Sequence, residues 1–338
     1  MSVVNSKLRR NASCTLGVII LSTGAVTHAD TVDDPYRSSN RNPLVQVFGL
    51  PATLSGNINS AGSFSGAVNV DASNSFSANT DSGETISLDG ETYRVNLHGR
   101  YGLFDNLEVG VDVPYIRHNG GSSDSFIEDW HDFWGFPSGD RPDYPQDQLN
   151  YRYRRNGQTQ VAVSDADNNS NQGLGDVSLS FGYQLSTNAS SAWALRGGVK
   201  LGTGEADSLL GSGGHDAYLG LNFSHSASAI VVHANGGILL LGSSDVLDDI
   251  REDWVAYGSG TISWPVSNRI SLKAQLDVHT AFYDSALTEL GSSSAQLLVG
   301  GSIRLSDKTF LDLSVSEDIA VDTAPDVVFQ IALRVGQW

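Results

Sequence analysis

The stretch ISLKAQLDVHTAFYD at residues 270–284 puts Ile270, Leu272, Ala274, Leu276, Val278 and Phe282 on one face of an extended chain. Ser271, Lys273, Gln275, Asp277 and His279 fall on the other, and Thr280 is the one polar residue in the apolar phase between Ile270 and Phe282. Successive side chains of a strand point to opposite sides, so this alternation reads as a β-strand with two unlike surroundings. One such strand suits any half-buried sheet, but here the pattern recurs about twelve times, over runs of roughly 10–14 residues that are long enough to cross a bilayer obliquely. The spans are 64–78, 91–104, 107–118, 175–186, 191–203, 216–227, 229–241, 252–266, 270–284, 295–306, 309–319 and 326–338.

The connections alternate as well. FDN, STNAS, SHSAS, SNR and DKT are short, whereas those that begin near residues 79, 119, 204, 242, 285 and 320 are longer. Short turns on the periplasmic side and longer loops outside are the asymmetry of an outer-membrane barrel, with both termini periplasmic when the strand number is even. The expected fold is therefore all-β: a single transmembrane antiparallel β-barrel of about twelve strands in the outer membrane, over residues 64–338. One face meets lipid, the other a polar interior, and closure satisfies the backbone edges.

Amphipathic rings gather at the two membrane boundaries, which gives an independent check. Tyr101, Tyr183, Trp193 and Trp264 form the expected periplasmic girdle, and Tyr93, Tyr115, Trp254 and Phe282 the outer one; all lie in the apolar phase.

Residues 1–29 read as an export signal, with Lys7, Arg9 and Arg10 before the apolar run CTLGVIIL and Thr27-His28-Ala29 as a cleavage site. Without it the chain has no cysteine, and losing those three cations takes the formal charge from −18 to −21. Such acidity argues against a nucleic-acid partner. Residues 30–63, with NPLVQVFGLP at 42–51, form a lead that serves as an interior plug, an added strand or a periplasmic strap. Twelve strands enclose more space than side chains fill and less than a wide porin, so a narrow or plugged passage is expected.

Four segments carry a family resemblance: NPLVQVFGLP, FIEDWHDFWGFPSGDR at 126–141, GLGDVSLSFGYQL at 173–185 and WALRGGVKLGTGE at 193–205. Together they resemble a bacterial outer-membrane β-barrel family of unknown function, and the later two look like the barrels associated with phenol meta-pathway degradation. The resemblance implies fold and location. Expected partners are outer-membrane lipid and lipopolysaccharide, the barrel-assembly machinery through the terminal aromatic Trp338, and a small solute.

Inward-phase positions carry Arg94, Arg100, Arg196, Lys200, Lys273, Arg304 and Arg334 against Asp71, Glu108, Asp112, Asp176, Asp277, Asp312 and Asp318, with His98, His233 and His279 among them. These signs nearly balance, so the acidity belongs to the loops and a sharply ion-selective pore is not expected. If FDN and DKT are three-residue turns, His98 lies opposite Asp112 and Arg304 opposite Asp312. In the long connection after residue 119, Phe126, Trp130, Phe133 and Trp134 follow helical spacing, the pattern of a short amphipathic helix that either folds inward as a gating constriction or packs against the barrel wall or rim. Asp277 and His279 share one face and allow a general-base pair, but no G-x-S-x-G elbow accompanies them. No cofactor or metal site is expected, since the acidic loop from Asp245 to Asp253 lacks calcium-loop spacing and the histidines lack zinc spacing. The leading expectation is a narrow channel or passive transporter for small solutes; the alternatives are a barrel-supported hydrolase and a closed structural or adhesive barrel.

Overall fold

The computed structural model describes residues 32–121, 125, 145–165, 171–320 and 322–337. Its strands are β1 (Phe64–Asp81), β2 (Glu84–Phe104), β3 (Leu107–Asn119), β4 (Asn150–Arg155), β5 (Gln158–Ser164), β6 (Gln172–Leu174), β7 (Val177–Thr187), β8 (Ser191–Leu201), β9 (Asp216–Ser226), β10 (Val231–Leu240), β11 (Trp254–Pro265), β12 (Ile270–His279), β13 (Ser294–Ser306), β14 (Thr309–Asp318) and β15 (Val327–Val335). β1–β3 and β7–β15 pair antiparallel in sequence order, and β15 returns to β1 from Gly66 opposite Val335 to Asn74 opposite Val327. That last ladder closes a 12-strand barrel. Closure leaves no sheet edge in hydrocarbon, where an unpaired amide costs several kcal/mol.

The two faces of each strand differ as their sequence requires. Along β12, Leu272, Leu276 and Val278 are 51%, 40% and 40% exposed, while Lys273, Gln275 and Asp277 are 2%, 1% and 9% exposed. The apolar phase covers the outside and the polar phase lines the inside. Tyr93, Tyr101, Tyr115, Tyr183, Trp193, Trp254 and Trp264 all face outward, near strand ends except for Tyr93, which lies midway along β2.

Phe282 does not belong to that girdle. β12 ends at His279, one residue before the polar break at Thr280, and the chain then turns in over the mouth of the barrel. There Phe282 is buried and stacks on Phe48 with ring centroids 5.2 Å apart.

Two outer hairpins extend the wall. The connection placed near residue 79 is ladder up to a two-residue turn, Ser82-Gly83, with φ of 47° and 85°. β4 and β5 join through Asn156-Gly157, with φ of 49° and 80°, and β4 pairs with β2 from Glu84 opposite Arg155 to Asp89 opposite Asn150. Both turns need left-handed backbone at both positions, the geometry that matches strand twist in a tight hairpin. The apron so formed buries Ile86, Leu88, Tyr151, Tyr153, Val161 and Val163 toward the mouth.

Register agrees with one sequence expectation and corrects another. His98 lies opposite Asp112. Arg304 lies opposite Phe310, and Asp312 opposite Ser302, because the turn holds only Asp307 and Lys308 and a bulge follows between Arg304 and Ser306. The two-residue shift keeps every side chain on its face but changes its neighbour.

Leu221 is at the middle of β9 and faces outward. Leu221→Arg is expected to destabilise the barrel by about 2–4 kcal/mol, the cost of a cation on the lipid face near the bilayer midplane. Urea titration of the folded protein in lipid vesicles measures it, and a near-zero change would mean that this face does not meet lipid.

Candidate functional site

Residues 32–60 run inside the barrel without forming regular secondary structure. They enter among groups near the periplasmic ends of the strands, rise to the outer mouth and descend again to β1. On the way up, the Asp33 carbonyl meets Ser263 Oγ at 2.8 Å and His233 Nε2 at 3.0 Å, and Lys273 bonds the Asp34 carbonyl. Gln275 accepts from the Tyr36 amide at 2.9 Å and donates to its carbonyl at 3.2 Å. Asn69 and Gln330 each donate to the Arg37 carbonyl at 3.0 Å.

At the top, Asn42 sets a turn: its Oδ1 accepts the Leu44 amide at 2.9 Å, and its carbonyl accepts the amides of Val45 and Gln46. Self-bonding through a short polar side chain is the usual chemistry of Asn in turns. Leu44, Val45, Val47 and Phe48 then pack with Leu241, Val246, Ile250, Tyr283, Leu287 and Leu290 of the outer loops, and Tyr283 Oη donates to the Leu44 carbonyl at 2.7 Å. Among the described residues, an apolar cluster thus lies across the mouth under the apron.

On the way down, Asn222 donates to the Leu54 carbonyl at 2.8 Å, Gln184 to the Gly56 carbonyl at 2.8 Å and Arg196 to the Asn57 carbonyl at 2.6 Å. The Asn59 amide donates to Glu108 at 2.8 Å. A buried segment with no sheet partner must find its hydrogen bonds among side chains. Here the inward Asn, Gln, Ser, Lys and Arg of the wall supply them.

Ion pairs tie the same elements together. Arg37 meets Asp112 at 2.9 Å and Arg41 meets Asp71 at 2.7 Å, so both limb arginines are anchored to the wall. Arg334 lies 2.6 Å from Asp312 and 3.4 Å from Asp34, with Lys273 3.7 Å from Asp312. Glu108 pairs with Arg196 and, at 3.6 Å, with Arg100. Lys200 lies 2.7 Å from Asp176 and 3.1 Å from Asp216. Strand phase turns Arg94 and Arg304 inward too; Arg304 sits over the ring of Phe310.

Asp277 and His279 have separate partners. Asp277 accepts from Gln275 at 2.9 Å, while His279 lies between Asn40 Nδ2 at 2.9 Å and the Thr280 carbonyl at 2.8 Å. The structure therefore does not bring them together as a catalytic couple. His98 is 3.8 Å from Asp112, beyond a hydrogen bond. Phe126, Trp130, Phe133 and Trp134, the signal residues 1–29 and Trp338 lie outside the described residues. Reading charges alone missed Asn69, Gln184, Asn222, Gln275 and Gln330. Their signal was available, since amide side chains at inward positions have no use facing lipid and every use facing a second stretch of backbone.

The chain matches a family described as a protein of unknown function, DUF3187, over residues 15–337. It belongs to that family. Comparison with curated proteins gives no match. Among solved structures, this DUF3187 protein is similar to the COG4313 outer membrane channel from Pseudomonas putida F1, with a TM-score of 0.52, 17% identity, and 85% of this chain and 100% of that chain covered. It also matches the NanC porin at a TM-score of 0.46 and 7% identity, over 80% of this chain and 98% of that chain. The first likeness shows the fold, that of an outer-membrane β-barrel.

The descending limb lies close against the wall at Gly56, where a Cβ would meet the Ala192 carbonyl oxygen at 2.3 Å and the Ser224 nitrogen at 2.9 Å. Gly56→Val is expected to unseat residues 49–60 while leaving the barrel folded. Limited proteolysis from the periplasmic side should then cleave the lead at least tenfold faster, with unchanged heat-modifiable migration of the barrel; equal cleavage would contradict this packing.

Proposed function

We propose that this protein is a passive outer-membrane channel for small solutes, and that residues 32–60 are its plug. The observation that supports this most is the way the segment is held. Its hold on the wall is mainly polar, with many bonds between its backbone and wall side chains beside side-chain pairs such as Arg37–Asp112 and Arg41–Asp71, and water can replace the backbone bonds as the segment leaves. A wall built only for rigidity has no need of a second chain filling it. The 12-strand bore, too wide for its own side chains to fill, becomes a passage once that chain moves. Apolar packing at the mouth gives the closed state its lock.

A link to the phenol meta-pathway barrels rests on residues 173–185 and 193–205, and it favours small organic solutes over sugars or peptides. Removing residues 33–58 is expected to convert rare, small openings in planar bilayers into frequent ones with several-fold greater conductance. Identical traces from the full-length and shortened proteins would end the plug reading, and silence from both would end the channel reading.

A further inference from the structure

Between the plug and the wall formed by β2, β3, β7, β8 and β9 lies a cavity of about 80 Å³. Arg37, Arg41, Arg94, Arg100 and Lys200 line it, with the carboxylates of Asp112 and Asp176. Four of these cations have carboxylates: Asp112 serves Arg37, Asp71 serves Arg41, Glu108 serves Arg100, and Asp176 and Asp216 serve Lys200. Lys200 is shared by Asp176 and Asp216, and Glu108 by Arg100 and Arg196, so these groups taken together balance. Arg94 differs. It forms no hydrogen bond or ion pair with any described residue, and its buried Nε has no partner. Asp71, Asp112 and Asp176 act on it only from a distance, against the like charge of Arg41. Arg37, 9% exposed, adds a guanidinium whose Nε and Nη1 are also buried without partners.

Arg94 is half-buried and lines this cavity, and a guanidinium withdrawn from bulk water without a carboxylate beside it is costly unless something completes it. The rest of the lining is mixed: Phe48, Leu50, Pro51 and Leu54 of the plug give an apolar side, and Gln46, Asn96, Ser178, Ser180 and Tyr218 a polar one. From this we infer that the cavity is a binding site for a small organic monocarboxylate, its two oxygens held by Arg94 in the field of the neighbouring Arg37 and its carbon chain laid against the plug. One uncompensated cation sets the charge at −1, and planar fork geometry matches a carboxylate. The volume equals on the order of three waters, which sets the size near two or three carbons with the plug in place. The inference deepens the channel reading by naming a solute class, and it rests on that reading only for the site's role in transport.

The test is equilibrium binding of ¹³C-labelled acetate and propionate to the full-length protein in detergent, followed by NMR and calorimetry. Saturable binding is expected for both, with little for propanol or propylammonium. Arg94→Gln is expected to weaken propionate at least tenfold and Arg94→Lys to an intermediate degree, while Arg154→Gln on the exposed face of β4 leaves it unchanged; heat-modifiable migration verifies that each variant is folded. Undiminished binding by Arg94→Gln, or propanol bound as well as propionate, would overturn the site. Acetate bound by a protein that conducts in no bilayer would keep the site and overturn the channel.

Discussion

The ladder between β1 and β15 is the constraint on which the other features depend. Hydrocarbon offers amides no partner, so the chain has to return to its own first strand. Once it does, twelve strands fix a circumference, and the circumference fixes an interior too wide for one layer of side chains. Everything inside the barrel answers the question of what occupies that space. Water alone is one answer; this chain uses 29 or so of its own residues, 32–60, laid up and down the lumen.

That choice determines the chemistry of the inner wall. An irregular segment carries an amide and a carbonyl at nearly every residue, and none of them has a strand to pair with. Side chains with two-way hydrogen bonding are the economical solution: Gln275 both donates to and accepts from Tyr36, and Gln184 donates to Gly56 while accepting from Ile58. The charges do a different task. Arg37 and Arg41 project from the segment toward Asp112 and Asp71 and set its height, because a buried guanidinium displaced from its carboxylate is left uncompensated.

Legibility in the sequence follows the physics of each part. Strands that separate lipid from a polar interior must alternate, so the twelve spanning runs were readable to within a few residues at most of their ends. Beyond the membrane the constraint ends while pairing goes on. The apolar-out phase fades after residue 78 in β1, though its ladder continues to Asp81, and the β4–β5 hairpin was missed despite its Asn156-Gly157 turn. Phe282 was misplaced because it keeps the phase of β12 past the strand's end; Thr280 marked the break. The register of Asp312 turned on one bulge, which no pattern of period two records. The path of residues 32–60 has no period at all, and its place is written in the wall rather than in itself.

The distribution of apolar and polar contacts along the plug separates holding from sealing. At the apex, Leu44, Val45, Val47 and Phe48 bury against the loops, and each such side chain is worth roughly 1.5–3 kcal/mol against exposure. Water cannot replace that term. Lower down, each backbone bond exchanges with water at a net change of only about 0.5–1.5 kcal/mol. The seal therefore lies at the outer end, where Phe48 stacks on Phe282, while the limbs serve as a tether with small, separable steps. On the proposed channel reading, a solute from outside would meet the loops and the apron first, and loosening the cluster around Phe282 and Tyr283 would not require any polar contact of the limbs to break.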